Sequence, residues 1–192
     1  MILAVSTSSP LVSMAVVDSQ RGIIWQGSMP APMAASGACL TMLDEMTRDT
    51  GITLAAIELF AADVGPGSFT GVRVGVALAK TFGYLHEKPV AGATSFDLIS
   101  ATCTVVLPSK KGEFFVRRVG EKAYRTVELP SEFFRGFGPG IDTPTLPDAS
   151  RFVDLIGRLQ PVSAMDFVPE YLIEPSISIP KTPFASNIKV GG

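Results

Sequence analysis

The amino-terminal part of the chain alternates short apolar runs with turn residues. Apolar runs cover residues 1–5, 11–17 and 23–26, and the segments between them contain Ser, Pro, Asp and Gly. Runs of this length, bounded by turn residues, are typical of strands. Because both connections are short, the pattern predicts an antiparallel meander of three strands.

A helical pattern follows these strands. Apolar positions in residues 37–50 recur at helical spacing, and we expect Leu40, Leu43, Met46 and Thr47 on the face that packs inward. Residues 30–35 contain two Pro and read as a loop before this helix.

Two more strands and a helix complete the pattern of the first hundred residues. Residues 57–64 form an apolar run that ends at a Gly-Pro-Gly breaker, and residues 90–93 form a second apolar run. Residues 95–102 are predicted to be helical, with Ser95 as the N-cap. Strands that alternate with helices indicate an α/β lobe, so we expect parallel strands to extend the meander.

The helix that follows the Gly-Pro-Gly breaker has small residues every four positions. Gly71, Gly75, Ala79 and Gly83 leave one helical face almost without side-chain bulk over three turns. Each Gly in a helix interior costs about 1 kcal/mol relative to Ala, so some packing must offset the loss. Two explanations stay open, close packing of the helix on its own sheet and contact with a helix of another chain.

The loop at residues 65–68 precedes this helix and could bind an anion. Backbone N–H groups and the helix dipole attract negative charge at a helix N-terminus. The loop matches neither the Walker pattern nor the dinucleotide fingerprint. Ser68 or Thr70 is the predicted N-cap, and we expect the helix to end near His86.

The composition favours a protein that covers part of its surface with a partner. The 192 residues are 46% hydrophobic and include seven Met, and the mean hydropathy is +0.34. No apolar run reaches the roughly 18 residues of a membrane span, and the first residues lack the basic region of a signal peptide. We therefore expect a cytoplasmic protein.

Charge and residue counts exclude several classes of function. A net charge of -2 argues against an autonomous nucleic-acid binder, whose affinity comes from clustered Lys and Arg. A single histidine leaves no Ser/His/Asp or Cys/His set. Cys39 and Cys103 form neither a metal pattern nor a disulfide framework, and we interpret both as reduced core thiols.

Residues 65–75, with the sequence GPGSFTGVRVG, and the ALAK stretch at residues 77–80 closely resemble the signature of the bacterial TsaB (YeaZ) family. The likeness extends from residue 1 to about residue 100 and resumes faintly at residues 169–172. The resemblance implies an α/β protein with the actin-like ATPase (ribonuclease H-like) fold, built of two lobes with the second lobe abridged.

The resemblance also implies a function. Members of that family are non-catalytic subunits that bind and activate a TsaD-type threonylcarbamoyl transferase in tRNA threonylcarbamoyladenosine modification. It implies a heterodimer with the TsaD-type subunit, contact with a TsaE-type ATPase through that complex, a homodimer when the chain is alone, and only indirect contact with tRNA. No membrane, cofactor, metal or catalytic residue is expected. The predicted partner interface consists of Phe69, Gly71, Val72, Gly75, Val76, Ala79 and Gly83, with Ala35 and Ser36 from the preceding helix.

The chain departs from the family pattern at two places. Ser6 stands where the family has Asp, and Ala35-Ser36 stand where it has His-Ser. A hydroxyl cannot replace a carboxylate as a ligand of a hard cation, and Ala35 offers no imidazole. We interpret the first turn as one that caps backbone groups. A weak candidate site for a nucleotide remains, made of Ser6, Thr7, Gly65, Gly67 and Ser68.

An alternative function is kept open beside the accessory role. The chain could be an independent nucleotide-binding hydrolase or kinase, or a protease-like enzyme, of the actin-like ATPase superfamily. The missing carboxylate at Ser6 and the single histidine both argue against it.

The second half of the chain predicts a smaller lobe. We divide the chain into residues 1–102, an α/β lobe with a mixed sheet, residues 103–174, a shortened second lobe, and residues 175–192, a flexible tail. Strands are predicted at residues 103–107, 113–119 and 123–129, and a helix at residues 148–159. Nine of the 15 Pro lie in residues 130–192, so little other regular structure is expected there.

The predicted ribbon in this second lobe is locally basic. A role in touching tRNA or phosphate and a solvated hairpin both stay open, because Glu113, Glu121 and Glu128 dilute the positive charge. The basic residues are Lys110, Lys111, Arg117, Arg118, Lys122 and Arg125.

Overall fold

The computed structural model describes residues 1–30, 34–110 and 112–170. Their strands form one sheet of five strands and one of four. The tail predicted at residues 175–192 lies outside the described residues. Within those residues, no helix combines the length and the hydrophobicity needed to cross a membrane.

The first sheet is the predicted mixed sheet. Its strands are β1 (Ile2–Ser6), β2 (Leu11–Asp18), β3 (Gly22–Pro30), β4 (Leu59–Asp63) and β5 (Val90–Ala93). They lie in the order β3-β2-β1-β4-β5. The first three form the antiparallel meander, and β4 and β5 continue the sheet parallel to β1. The strand pattern read from the sequence is confirmed here.

Two helices cover one face of this sheet, α1 (Ala35–Thr50) and α2 (Phe69–Leu85). They enclose a core in which Met42 and Met46 of α1 and Val72 of α2 pack with residues of β1, β2 and β4. Of the two predicted N-caps, Ser68 is the one that caps α2, since its Oγ accepts a hydrogen bond from the Gly71 N–H at 3.2 Å. His86 is the residue at the C-cap.

The inner face predicted for α1 was partly wrong. Leu40 is 56% exposed and Thr47 is also exposed. The buried residues of the helix are Ala38, Cys39, Met42 and Met46. The small Ala and Cys occupy inward positions because the helix lies close to the sheet, and a pattern weighted towards large aliphatic residues overlooks them. Burial raises the pKa of the Cys39 thiol to about 11, whereas Cys103 is only half-buried.

The other face of the first sheet is covered by α3 (Ser95–Ile99) and by a 3-10 helix, Ala149–Arg158. Phe152 and Leu155 of the 3-10 helix pack against β1 and β2. The N-cap of α3 is Thr94 rather than the predicted Ser95, because the Thr94 side chain accepts the Asp97 N–H. Residues assigned by sequence to the second lobe thus lie on the first sheet, and the domain boundaries stay a prediction.

The second sheet contains β6 (Thr104–Pro108), β7 (Phe114–Arg117), β8 (Tyr124–Thr126) and β9 (Phe134–Gly136), in the order β8-β7-β6-β9. Strand β9 was not predicted, because only three residues pair with β6 and two Gly follow closely. A shared apolar cluster joins the sheets, in which Phe96 and Ile99 of α3 pack with Leu107 and Phe115.

The arginines of the basic ribbon are paired with carboxylates. Arg117 bonds to Asp97 at 2.7 Å, Arg118 to Glu132 at 2.7 Å, and Arg125 to Glu113 at 3.3 Å. The first pair links β7 to α3. These contacts favour the structural explanation of the ribbon over a phosphate-binding one. Lys111 lies outside the described residues.

Candidate functional site at the carboxyl ends of the parallel strands

Strands β1, β4 and β5 are parallel, so their carboxyl ends meet at one edge of the first sheet. This edge is where open α/β sheets bind ligands. Ser6 ends β1, Asp63 ends β4, and Ser95 opens the helix that follows β5. The fold therefore brings together three polar side chains that lie far apart in the sequence.

Asp63 is the centre of this edge. Its side chain is fully buried and accepts hydrogen bonds from the hydroxyls of Ser6 at 2.7 Å, Ser95 at 2.6 Å and Ser8. A fourth bond comes from the Gly65 N–H at 2.9 Å. No salt bridge to Asp63 occurs among the described residues. We call Ser6, Ser8, Asp63 and Ser95 the Asp63 cluster.

Two opposing effects act on the charge of this carboxyl group. Burial raises its pKa, because the anion loses its water, while the four donors lower it. Burial is the larger effect. The polar atoms of the cluster are thus held away from water and are paired with one another.

The five residues of the candidate nucleotide site lie near one another, with Gly65 buried and with Gly67 and Ser68 exposed. Ser6 and Thr7 are buried, and Ser6 bonds to Asp63 rather than to the backbone as predicted. The Ser68 N–H donates to the Ser8 carbonyl at 2.7 Å, and the Gly65 N–H donates to Asp63. A Cβ at Gly67 would lie 2.4 Å from the Ser8 oxygen. The N–H groups of Gly65 and Ser68 therefore already form hydrogen bonds within the chain. Nucleotide binding at this site stays a prediction.

The stripe of small residues faces the chain's own sheet. Gly71, Gly75, Ala79 and Gly83 are all buried. A Cβ would lie 2.0 Å from the Thr7 carbonyl oxygen if added at Gly71, and 2.5 Å from the Val90 side chain if added at Gly83. Of the two explanations left open, packing on the sheet is the one the structure supports.

The predicted interface therefore needs a correction. The four stripe residues cannot present a flat face to another chain in this structure, and Val72 and Val76 are also buried, at 3% and 4% exposure. All six residues belong to the core, because α2 packs on the sheet with its smallest residues directed towards β1 and β5. Only Phe69, Ala35 and Ser36 of the predicted set reach the surface.

The opposite side of α2 is exposed. Phe69 is 46% exposed, and the Arg73 guanidinium lies over its ring, 3.8 Å from the centroid. Ala77 and Thr81 follow along the helix, and Tyr84 is 70% exposed. We call Phe69, Arg73, Ala77, Thr81 and Tyr84 the outer face of α2.

Sequence reasoning missed Asp63, Ser8 and Ser95. Asp63 lies inside the apolar run at residues 57–64, which was read as a plain buried strand. A charged residue near the end of a strand that is buried on both faces was the available signal, because such a residue needs hydrogen-bond donors. Nothing in the local sequence identified the three hydroxyl donors, which come from two other segments.

Known proteins with similar sequences were found over part of the chain. A family model described as TsaD, tRNA N6-adenosine threonylcarbamoyltransferase, matches residues 31–112. The tRNA threonylcarbamoyladenosine biosynthesis protein TsaB of Haemophilus influenzae is 34% identical over 89 residues, which cover 46% of this chain and 37% of that protein. An uncharacterized protein of Mycobacterium tuberculosis is 30% identical over 100 residues, 51% of this chain and 47% of that one. The chain spans about half the length of these relatives or less.

Solved structures match most of the chain. A Pseudomonas aeruginosa protein described as similar to peptidase YeaZ has a TM-score of 0.77 at 20% identity, over 90% of this chain and 99% of that one. The structure described as YeaZ from the same organism has a TM-score of 0.74 at 20% identity, over 89% and 99% of the two chains. The predicted class is confirmed, a mixed α/β protein with the actin-like ATPase (ribonuclease H-like) fold. Within that class, about half of the chain is similar in sequence to the TsaB proteins of Haemophilus influenzae and Escherichia coli.

Proposed function

We propose that this chain is an accessory subunit of tRNA threonylcarbamoyladenosine biosynthesis, which binds and activates a TsaD-type threonylcarbamoyl transferase without doing chemistry itself. The similarity to TsaB of Haemophilus influenzae and the TsaD family model at residues 31–112 support the pathway and the partner. The observation that carries the non-catalytic role is the closed Asp63 cluster.

The Asp63 cluster is a poor reaction centre. A catalytic acid or base must come within hydrogen-bond reach of its substrate. Asp63, Ser6 and Ser95 are 0% exposed and Ser8 is 2% exposed, and their polar atoms bond to each other. A substrate would have to break this network before it could contact any of these groups.

The partner surface is the outer face of α2 together with the start of α1. Aromatic residues and Arg are enriched at protein interfaces, and this surface presents Phe69, Arg73 and Tyr84. Ser36 is exposed at the start of α1, and Leu40 is 56% exposed one turn later.

The chain alone would form a homodimer through the same surface, and a TsaE-type ATPase would contact it only within the complex. tRNA would be held mainly by the transferase.

The test introduces a charge into this surface. Ala77 lies in the middle of the outer face and is exposed, so Ala77→Glu should leave the free protein folded. We expect its affinity for the TsaD-type transferase to fall by about tenfold or more, because a buried unpaired charge is costly. The matched control is Ala101→Glu, at an exposed position in the segment of chain between α3 and β6. Calorimetric titration measures both.

The results separate the function from the surface. Failure of the wild-type chain to bind the transferase would contradict the proposed function. Equal binding by Ala77→Glu and the wild type would contradict only the location of the surface. Tight magnesium-dependent ATP binding with turnover by the isolated chain would instead favour the alternative enzyme.

A further inference from the structure

The hydroxyl of Thr7 stands between two backbone groups of α2. It donates a hydrogen bond to the Gly71 carbonyl at 2.7 Å and accepts one from the Gly75 N–H at 3.1 Å. These are the two groups that a regular α-helix joins directly by its i to i-4 bond. Thr7 is 1% exposed and lies in the turn after β1.

Glycines at two positions of α2 make room for this contact. A Cβ at Gly71 would lie 2.0 Å from the Thr7 carbonyl oxygen, and a Cβ at Gly75 would lie 2.6 Å from the Thr7 hydroxyl. Any other residue at these positions would push the turn and the helix apart. The first two turns of α2 are therefore coupled directly to the end of β1.

Insertion of a side chain into the hydrogen-bond ladder of a helix is one of the known causes of helix bending. The turns that Thr7 contacts lie between Phe69 and Gly75, and they carry Phe69 and Arg73 on their outer side. The Thr7 hydroxyl therefore bonds to the same turns that carry this part of the outer face.

We propose that Thr7 is a positioning residue for the partner surface, and that its hydroxyl sets the direction of the first two turns of α2. The inference rests on the proposed function, because the surface it positions is the one assigned to the transferase. Thr7 itself touches no partner, since it is buried beneath the helix.

The test compares two substitutions of Thr7. Thr7→Val keeps the shape and removes the hydroxyl, and Thr7→Ser keeps the hydroxyl. We expect Thr7→Val to bind the TsaD-type transferase about tenfold more weakly than the wild type, and Thr7→Ser to stay within about twofold. Hydrogen exchange at the Gly75 amide should become faster in Thr7→Val alone. Thr126→Val, which removes a hydroxyl bonded to a backbone N–H in the second sheet, is the matched control.

Each result decides the inference. Weak binding by Thr7→Val with normal binding by Thr7→Ser supports it. Normal binding by Thr7→Val, or equally weak binding by both variants, overturns it while the proposed function stands. If Thr7→Val does not fold, Thr7→Ser decides alone, because a tenfold loss with the hydroxyl still present would overturn the inference. If the wild type does not bind the transferase, the proposed function fails and this inference falls with it.

Discussion

The two sides of α2 have opposite character. The inner side is made of Gly71, Gly75 and Ala79, which pack on the chain's own sheet at distances that leave no room for a larger residue at the glycines. The outer side presents Phe69 and Tyr84 to solvent. The most distinctive residues of a sequence motif can therefore serve internal packing. The side chains that remain exposed to a partner form a less regular pattern in the sequence.

The largest effect is expected on the inner side. Gly71→Ala should destabilise the protein by about 3 kcal/mol, because the added Cβ meets a backbone oxygen that cannot move aside cheaply. Gly37→Ala is the control, since a Cβ there meets nothing within 4 Å. It should stabilise α1 by about 0.5 kcal/mol. Urea unfolding measures both, and an equal effect of the two substitutions would contradict the close packing of α2.

An intermediate effect is expected at the Asp63 cluster, and it should depend on pH. Burial raises the pKa of Asp63 above its ordinary value of 3.8. A raised pKa gives stability that is fully present below the unfolded-state pKa and is lost as the pH rises through the folded-state pKa. Relative to Asp63→Asn, the wild type should therefore lose stability as the pH rises above the unfolded-state pKa and through the raised folded-state pKa of Asp63.

Unfolding of both proteins by urea across this range measures the difference. A wild type that instead gains stability relative to Asp63→Asn as the pH rises would show that the four donors outweigh burial. A pH-independent difference would mean that the carboxyl group keeps the same protonation state in the folded and unfolded chains.

The smallest effect on stability is expected on the outer side. Phe69→Ala should change the free energy of unfolding by about 0.5 kcal/mol or less, because the ring is already half-exposed. The same substitution should weaken binding to the TsaD-type transferase by about tenfold, since exposed aromatic residues are common anchors of interfaces. A large loss of stability with unchanged binding would reverse the assignment of the two sides.

The fold was largely predictable, and the candidate site only in part. The lengths of the apolar runs predicted all five strands of the first sheet, because strand formation there follows from local pattern and short connections. Strand β9 escaped prediction because three residues beside Gly carry little periodic signal. At the site, Ser6 was noticed and Asp63 was not, although the two side chains bond to each other.

By itself, the sequence determined the mixed sheet, the helix that follows the Gly-Pro-Gly breaker and the presence of a helical face without bulk, because each of these follows from spacing along a continuous segment. Only the tertiary structure decided which way that face turns and what surrounds Asp63. Those outcomes depend on contacts between residues that lie dozens of positions apart, such as Thr7 with Gly71 and Ser95 with Asp63. Periodicity reports which residues share a face, and the packing of the whole chain decides what that face meets.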